Sequence, residues 1–206
     1  MASATRGRLV VVSGPSGAGK TTVMKRVFER SDLPLVRSVS ATTRPPRPGE
    51  RDGVDYHFLT EEEFAVRQKR GDFLESVQVF GRSHWYGTLR SEVTTGLAAG
   101  KWVVLEIDVQ GARAAAAEYP DAITIFIQPS SPAVLERRLR GRATETEEAL
   151  GRRLERARWE LAQAPGYRAI VINDDLDRAV EEICDILNRE FGGQPRCSMS
   201  SGKKQS

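Results

Sequence analysis

Short apolar runs separated by amphipathic stretches recur along most of this chain. The runs at 8–13, 35–38, 102–107, 122–127 and 169–172 are brief, and most are rich in β-branched residues. Runs of that kind, with little polar alternation, predict strands buried on both faces. Between them, apolar positions recur at helical spacing over 21–30, 89–98, 111–118 and 132–140. A longer helix is predicted over 147–162, with Leu150, Leu154, Ala157 and Leu161 on one stripe. The last helix carries Leu176, Val180, Ile183, Leu187 and Phe191. These stripes are read as core faces. Strand and helix in alternation predict an α/β fold: a parallel five-stranded sheet between helices, a three-layer sandwich.

Residues 39–90 break the alternation. The segment 42–53 is dense in Pro, Arg and Gly and is expected to be an ordered loop. Residues 54–59 alternate as a half-exposed strand would. Thr60 followed by Glu63 predicts a capping box opening a helix that ends near Gly71. A strand is expected over 73–80, turning at Gly81-Arg82-Ser83 into a partner at 84–87. The reading is a small antiparallel sheet with one helix, inserted at 39–88 into a core of 7–38 and 89–190. Residues 191–206 have little apolar surface to bury and are expected to form a disordered tail.

Composition narrows the class. With 206 residues, 39% hydrophobic and 29% charged, the chain suits one globular domain with a full core. No apolar run approaches the ~20 residues that span a membrane, and the N-terminus lacks the apolar segment of a secretory signal. The two cysteines, Cys184 and Cys197, form neither a metal spacing nor a disulfide framework, which points to a reducing cytoplasm. The net charge of +3 suits phosphate-bearing ligands. Basic residues interleave with acidic ones, which argues against a nucleic-acid surface.

The clearest chemical signal is Gly14-Pro15-Ser16-Gly17-Ala18-Gly19-Lys20-Thr21. It fits GxxxxGK(S/T), lies after a predicted buried strand and opens a predicted helix. In that context backbone N–H groups of loop and helix converge on one anion. Lys20 can reach the β- and γ-phosphates, and the Thr21 hydroxyl can ligate Mg²⁺ with a nucleoside triphosphate, next to Thr22. This is the P-loop NTPase arrangement, and it names a nucleotide without naming a reaction.

Candidates for the second substrate lie in the insert. Arg44 and Arg47 flank Pro45-Pro46, whose fixed φ angles stiffen the segment. Two guanidiniums held this way suit a phosphate monoester, with Tyr56 and Tyr86 as further donors; a solvated Arg/Pro turn is the alternative. Glu75 sits in an otherwise apolar strand. One carboxylate can accept both N1–H and N2–H of guanine, whereas adenine offers an acceptor there, a mismatch of about 1–3 kcal/mol. Ser40 and Thr88 can donate to O6. An outward-facing strand glutamate is the competing account. Asp108, at a strand's C-terminal end with Glu106 before it, is read as either a Mg²⁺-orienting carboxylate, directly or through water, or a helix N-cap. His57, His84, Trp85, Trp102 and Trp159 are read as structural or packing residues.

Taken together, 14–21, 38–50, 53–58, Trp85-Tyr86-Gly87-Thr88, 106–111, 141–148 and 172–176 resemble guanylate kinase, in family order, over about 7–190. The resemblance implies transfer of the ATP γ-phosphate to GMP, and by extension dGMP, in a nucleotide-binding core with a GMP-binding insert and a helical lid at about 139–156. It implies ATP contacts from 14–22, Arg138, Arg142 and Asn173, the last near adenine unless it is only a turn residue. Ser40, Glu75 and Thr88 are implied to bind guanine; Arg44, Arg47, Tyr56 and Tyr86 the GMP phosphate; Asp108 also lies on the GMP side. Lys20, Arg44, Arg138, Arg142 and Arg153 are implied to be catalytic, while most other arginines of 137–158 are expected to pair with glutamates on solvated faces. Ala143 stands where a second lid glycine is frequent, and Thr88 where serine also occurs. Rival readings are a kinase for another phosphorylated acceptor and a phosphopeptide-binding module of the same shape.

Overall fold

The computed structural model describes residues 7–78, 84–140 and 147–192. In chain order the described elements begin β1 (Arg8–Ser13), α1 (Lys20–Arg30), β2 (Leu35–Arg37), β3 (Ala41–Thr42), β4 (His57–Phe58), α2 (Glu61–Lys69), β5 (Phe73–Gln78) and β6 (Trp85–Leu89). They continue with α3 (Arg90–Ala98), β7 (Trp102–Glu106), α4 (Val109–Glu118), β8 (Ile123–Gln128), α5 (Pro132–Arg140), α6 (Glu147–Leu161), β9 (Ala169–Ile172) and α7 (Leu176–Glu190).

Two sheets result. The larger has five strands in the order β2-β7-β1-β8-β9, every pair parallel. The β1 run is apolar throughout because both its faces are covered. Val10 and Val12 pack with Val23, Val27, Val180 and Ile183 of α1 and α7, whereas Leu9 and Val11 pack with Val93, Ala112 and Ala115 of α3 and α4. The stripe expected on α6 packs against Leu135 and Leu139 of α5.

The smaller sheet has the order β4-β3-β6-β5. Its core is Ala41, Phe64, Phe73 and Leu89, with the Phe64 and Phe73 rings stacked at 4.3 Å. The capping box of α2 forms as expected: Thr60 Oγ1 accepts from Glu63 N–H, and Glu63 Oε2 accepts from Thr60 N–H. Between Phe73 and Glu75 the β5–β6 register slips by one residue, a β-bulge at Leu74. The bulge sends Phe73 into the small core, Leu74 into the cluster shared with α4, and Glu75 to a position beside Gly111.

Several expectations are corrected. The strand expected over 54–59 shrinks to His57–Phe58, because Asp52 bridges Tyr56 and Gly53 adopts φ +71, folding 53–55 into a turn. The small sheet is mixed, since β3 and β4 run parallel. Trp159 is exposed and lies under the Arg156 guanidinium at 5.1 Å, so it is not a core residue. The turn 81–83, residues 79–80, Ala143, Arg142, Cys197 and the tail from 193 lie outside the described residues. No helix among the described residues is long and apolar enough to cross a membrane.

Candidate functional site

The loop between β1 and α1 is shaped by main-chain requirements. Gly14 adopts φ +142, and a Cβ there would collide with the Ile127 carbonyl oxygen. Gly19 caps α1 in the left-handed conformation and contributes no side-chain bond, and the first turn carries no acid. The first N–H groups of α1 therefore face outward with their partial positive charge uncompensated, a ready anion site. Thr21 and Thr22 are exposed at this opening.

Lys20 folds back over the loop: its Nζ donates to Gly14 O at 2.5 Å and Pro15 O at 3.2 Å. The residue is half-buried but its ammonium is enclosed. Burial pushes it below the ordinary lysine range, while the carboxylates of Glu160, Glu106 and Asp108 pull it back up. Asn173 braces the loop from β9. It is buried, and its Nδ2 donates to Ala18 O at 2.7 Å. Its own carbonyl accepts from Arg138 Nη2 at 2.8 Å, which ties α5 to the same point. Arg153 of α6 reaches Ser16 Oγ at 3.4 Å.

Facing the C-terminal edge of the large sheet, a hollow of about 200 Å³ opens between the two sheets. The small sheet and its loops line it with Ser40, Tyr56, Glu75 and Tyr86, and the large sheet with Glu106, Ile107 and Asp108. Glu75 is 8% exposed. Burial pushes its carboxyl up to about 7, with Asp108 adding to the rise and a hydrogen bond from Thr88 opposing it. Its approach to α4 depends on Gly111, where a Cβ would lie 2.6 Å from Glu75 Oε2. Thr88 is fully buried and donates its hydroxyl to Glu75 Oε1 at 2.7 Å, so that proton is already engaged.

Arg44 is 8% exposed and fixed on three sides. Nη1 donates to Pro45 O at 2.6 Å, Nη2 to Glu50 Oε1 at 2.8 Å, and the guanidinium lies 5.4 Å from the Tyr56 ring centroid. Tyr56 and Tyr86 meet edge to face at 5.9 Å, and burial raises the Tyr56 phenol, keeping it a proton donor. Arg47 differs: its side chain is exposed, and its backbone N–H donates to Glu50 Oε2 at 2.7 Å. That bond first, then Arg44, holds the Glu50 carboxyl below the usual range.

Of the two roles left open by the sequence, Asp108 fills that of the N-cap. Oδ1 accepts from Gly111 N–H at 2.8 Å as the N-cap of α4, and Oδ2 receives Arg156 Nη2 at 3.3 Å while the residue lines the hollow. Arg156 also donates to Glu160 Oε1 at 3.1 Å. The sequence reading set Arg156 among surface pairs; its real partners are acids of the cleft, visible in sequence only as Glu160 four residues on. As expected of solvated pairs, Arg140 meets Glu136 at 3.0 Å and Arg152 meets Glu148 at 3.9 Å.

The residues present fit a Mg²⁺ ion carried by a nucleotide. Glu106 Oε2 is buried without a hydrogen-bond partner among the described residues, and Glu106 lines the hollow together with Asp108. No group of three or more His, Cys, Asp or Glu that could hold a metal forms among the described residues. Mg²⁺ bound through phosphates and water needs only one or two protein oxygens.

The chain matches a family model described as guanylate kinase over residues 6–190. It is 56% identical over 182 residues to a guanylate kinase of Rhodopirellula baltica, covering 88% of this chain and 87% of that one. A guanylate kinase of Thermotoga maritima is 49% identical over 185 residues, covering 90% and 88%. Among solved structures, a guanylate kinase from Anaplasma phagocytophilum superposes with a TM-score of 0.74 at 31% identity, covering 91% of this chain and 87% of that one.

Proposed function

The chain belongs to the guanylate kinase family and converts ATP and GMP to ADP and GDP; we propose that the loop at 14–21 takes ATP and the hollow between the sheets takes GMP. The observation that carries this reading is Glu75, a buried carboxylate facing a hollow beside the Lys20 loop, able to accept both donors of the guanine edge. Ser40 donates to the base, and Thr88 orients the carboxylate that reads it. Arg44, Arg47, Tyr56 and Tyr86 bind the acceptor phosphate. dGMP fits the same contacts, none of which is assigned to the 2′-hydroxyl.

Three working parts follow: a core of 7–38 and 89–190, an acceptor insert of 39–88, and a lid of about 139–156. Arg138, Arg142 and Arg153 are assigned to the phosphates of ATP, Arg142 lying outside the described residues. Transfer needs no covalent intermediate and no dedicated base, because the GMP phosphate is already an anionic nucleophile. The protein aligns it in line with the γ-phosphate and stabilises the spread of charge through Lys20, the N-terminus of α1 and the lid guanidiniums. Thr21, with Asp108 or Glu106 through water, would hold Mg²⁺, which neutralises phosphate charge when bound. Closure of both arms excludes water and limits wasteful hydrolysis of ATP. The work is assigned to the cytoplasm.

A coupled assay following ADP formation tests the reading with GMP, dGMP, AMP, CMP and UMP as acceptors. GMP and dGMP are expected to turn over well and the others poorly. Turnover of AMP equal to GMP would overturn the role of Glu75. The binding-module alternative has no use for Lys20 and Thr21 in an intact loop, and a sugar phosphate would leave Glu75 unmatched.

A further inference from the structure

We propose that Arg37 is a further acceptor-phosphate residue, acting from the end of β2 on the hollow that Tyr56 and Tyr86 also line. The inference rests on the reading that the hollow takes GMP. Arg37 is the last residue of β2, the edge strand beside β7, and it lines the same hollow. Its Nε pairs with Glu106 Oε1 at 3.4 Å. Among the described residues its guanidinium makes no other hydrogen bond or ion pair. The Glu106 side chain is 9% exposed and that of Arg37 43%, so the pair is buried on its carboxylate side and more open on its arginine side.

The charge balance of the hollow calls for such a group. Its lining includes the acids Asp55, Glu75, Glu106 and Asp108, with Arg37 as the basic residue among them. A phosphate monoester drawn toward those acids at reduced dielectric is repelled unless a cation meets it. Arg44 has committed donors to Pro45 and Glu50. Arg37 keeps both Nη groups uncommitted and is drawn toward Glu106 through an ion pair at Nε. A planar guanidinium in that posture offers two parallel N–H bonds, the geometry that binds phosphate oxygens in pairs. In sequence Arg37 reads as an ordinary polar residue at a strand end, and only the hollow reveals its position.

The test compares wild type, Arg37→Gln and Arg37→Lys, using GMP and ATP as substrates and guanosine as a competitive inhibitor lacking the phosphate. Arg37→Gln is expected to raise KM for GMP about tenfold, the scale of one charge-assisted pair. KM for ATP and the inhibition constant of guanosine should stay within twofold, and Arg37→Lys should recover part of the loss. If Arg37→Gln does not fold, Arg37→Lys alone must raise KM for GMP at least threefold with guanosine unchanged. KM for GMP within twofold of wild type overturns the inference. So does a guanosine constant that rises as much as KM, since Arg37 would then only screen the carboxylates. Wild type that neither turns over GMP nor is inhibited by guanosine instead defeats the underlying reading of the hollow.

Discussion

Thr88 donates a hydroxyl hydrogen bond to Glu75 Oε1 at 2.7 Å, across the paired strands β6 and β5. The bond favours the ionised carboxylate, yet burial wins and lifts the group to about 7. The folded protein therefore binds more protons than the unfolded chain between about pH 4.5 and 7. Its stability falls as pH rises through that window, by about 3 kcal/mol at the upper end. Glu75→Gln should flatten this slope in melting temperature measured from pH 5 to 8.

On the proposed reading of the hollow, the same carboxylate must be ionised to accept guanine's two donors. GMP affinity in wild type is expected to rise from pH 6 to 8 more steeply than in Glu75→Gln. The phosphate of GMP titrates in both proteins, so the difference between them isolates residue 75. Glu75→Gln should also raise KM for GMP about tenfold or more, the scale of a mispaired buried group, with KM for ATP unmoved. Parallel pH profiles in calorimetric titrations would refute this.

Lys20→Ala removes the ammonium held against the loop carbonyls. Transfer should fall by at least a thousandfold, about 4 kcal/mol of barrier, while GMP binding stays within threefold. An equal collapse of GMP affinity would mean the two substrates have been assigned to the wrong arms.

Asn173→Ala takes away the Nδ2–H bond to Ala18 O. The expected result is a stability loss of about 1–2 kcal/mol and a KM for ATP raised about fivefold, with GMP unaffected. If Asn173 acts only by bracing the loop, the preference for ATP over other nucleoside triphosphates should not change; a shift in that preference would support direct contact with adenine.

Thr60→Ala deletes the cap of α2 far from either phosphate cradle. It should cost about 1 kcal/mol of stability and leave both KM values within twofold, read by denaturant melts and steady-state kinetics.

The parts of this site legible in sequence are those fixed by local chemistry. The 14–21 loop, the capping box of Thr60 and Glu63, and the apolar strands of the large sheet each follow from backbone requirements over a few residues. Glu75 stood out because a carboxylate in an apolar strand needs a reason. What could not be read depends on neighbours distant in sequence. The bulge at Leu74 that aims Glu75, the shrinkage of 54–59 to two strand residues, and the parallel pairing of β3 with β4 are set by tertiary packing. Arg156 was expected among solvated pairs, and Arg37 drew no reading, because their partners Asp108 and Glu106 lie 48 and 69 positions away.

Lys20 has one more consequence. A long, flexible side chain ordinarily surrenders much of its rotational freedom when it grips a ligand. Here the surrender happened during folding, when the ammonium settled on the Gly14 and Pro15 carbonyls. An arriving triphosphate meets a cation already immobilised and has only to exchange its partners. Preorganisation of this kind lowers the conformational cost of gripping the phosphates.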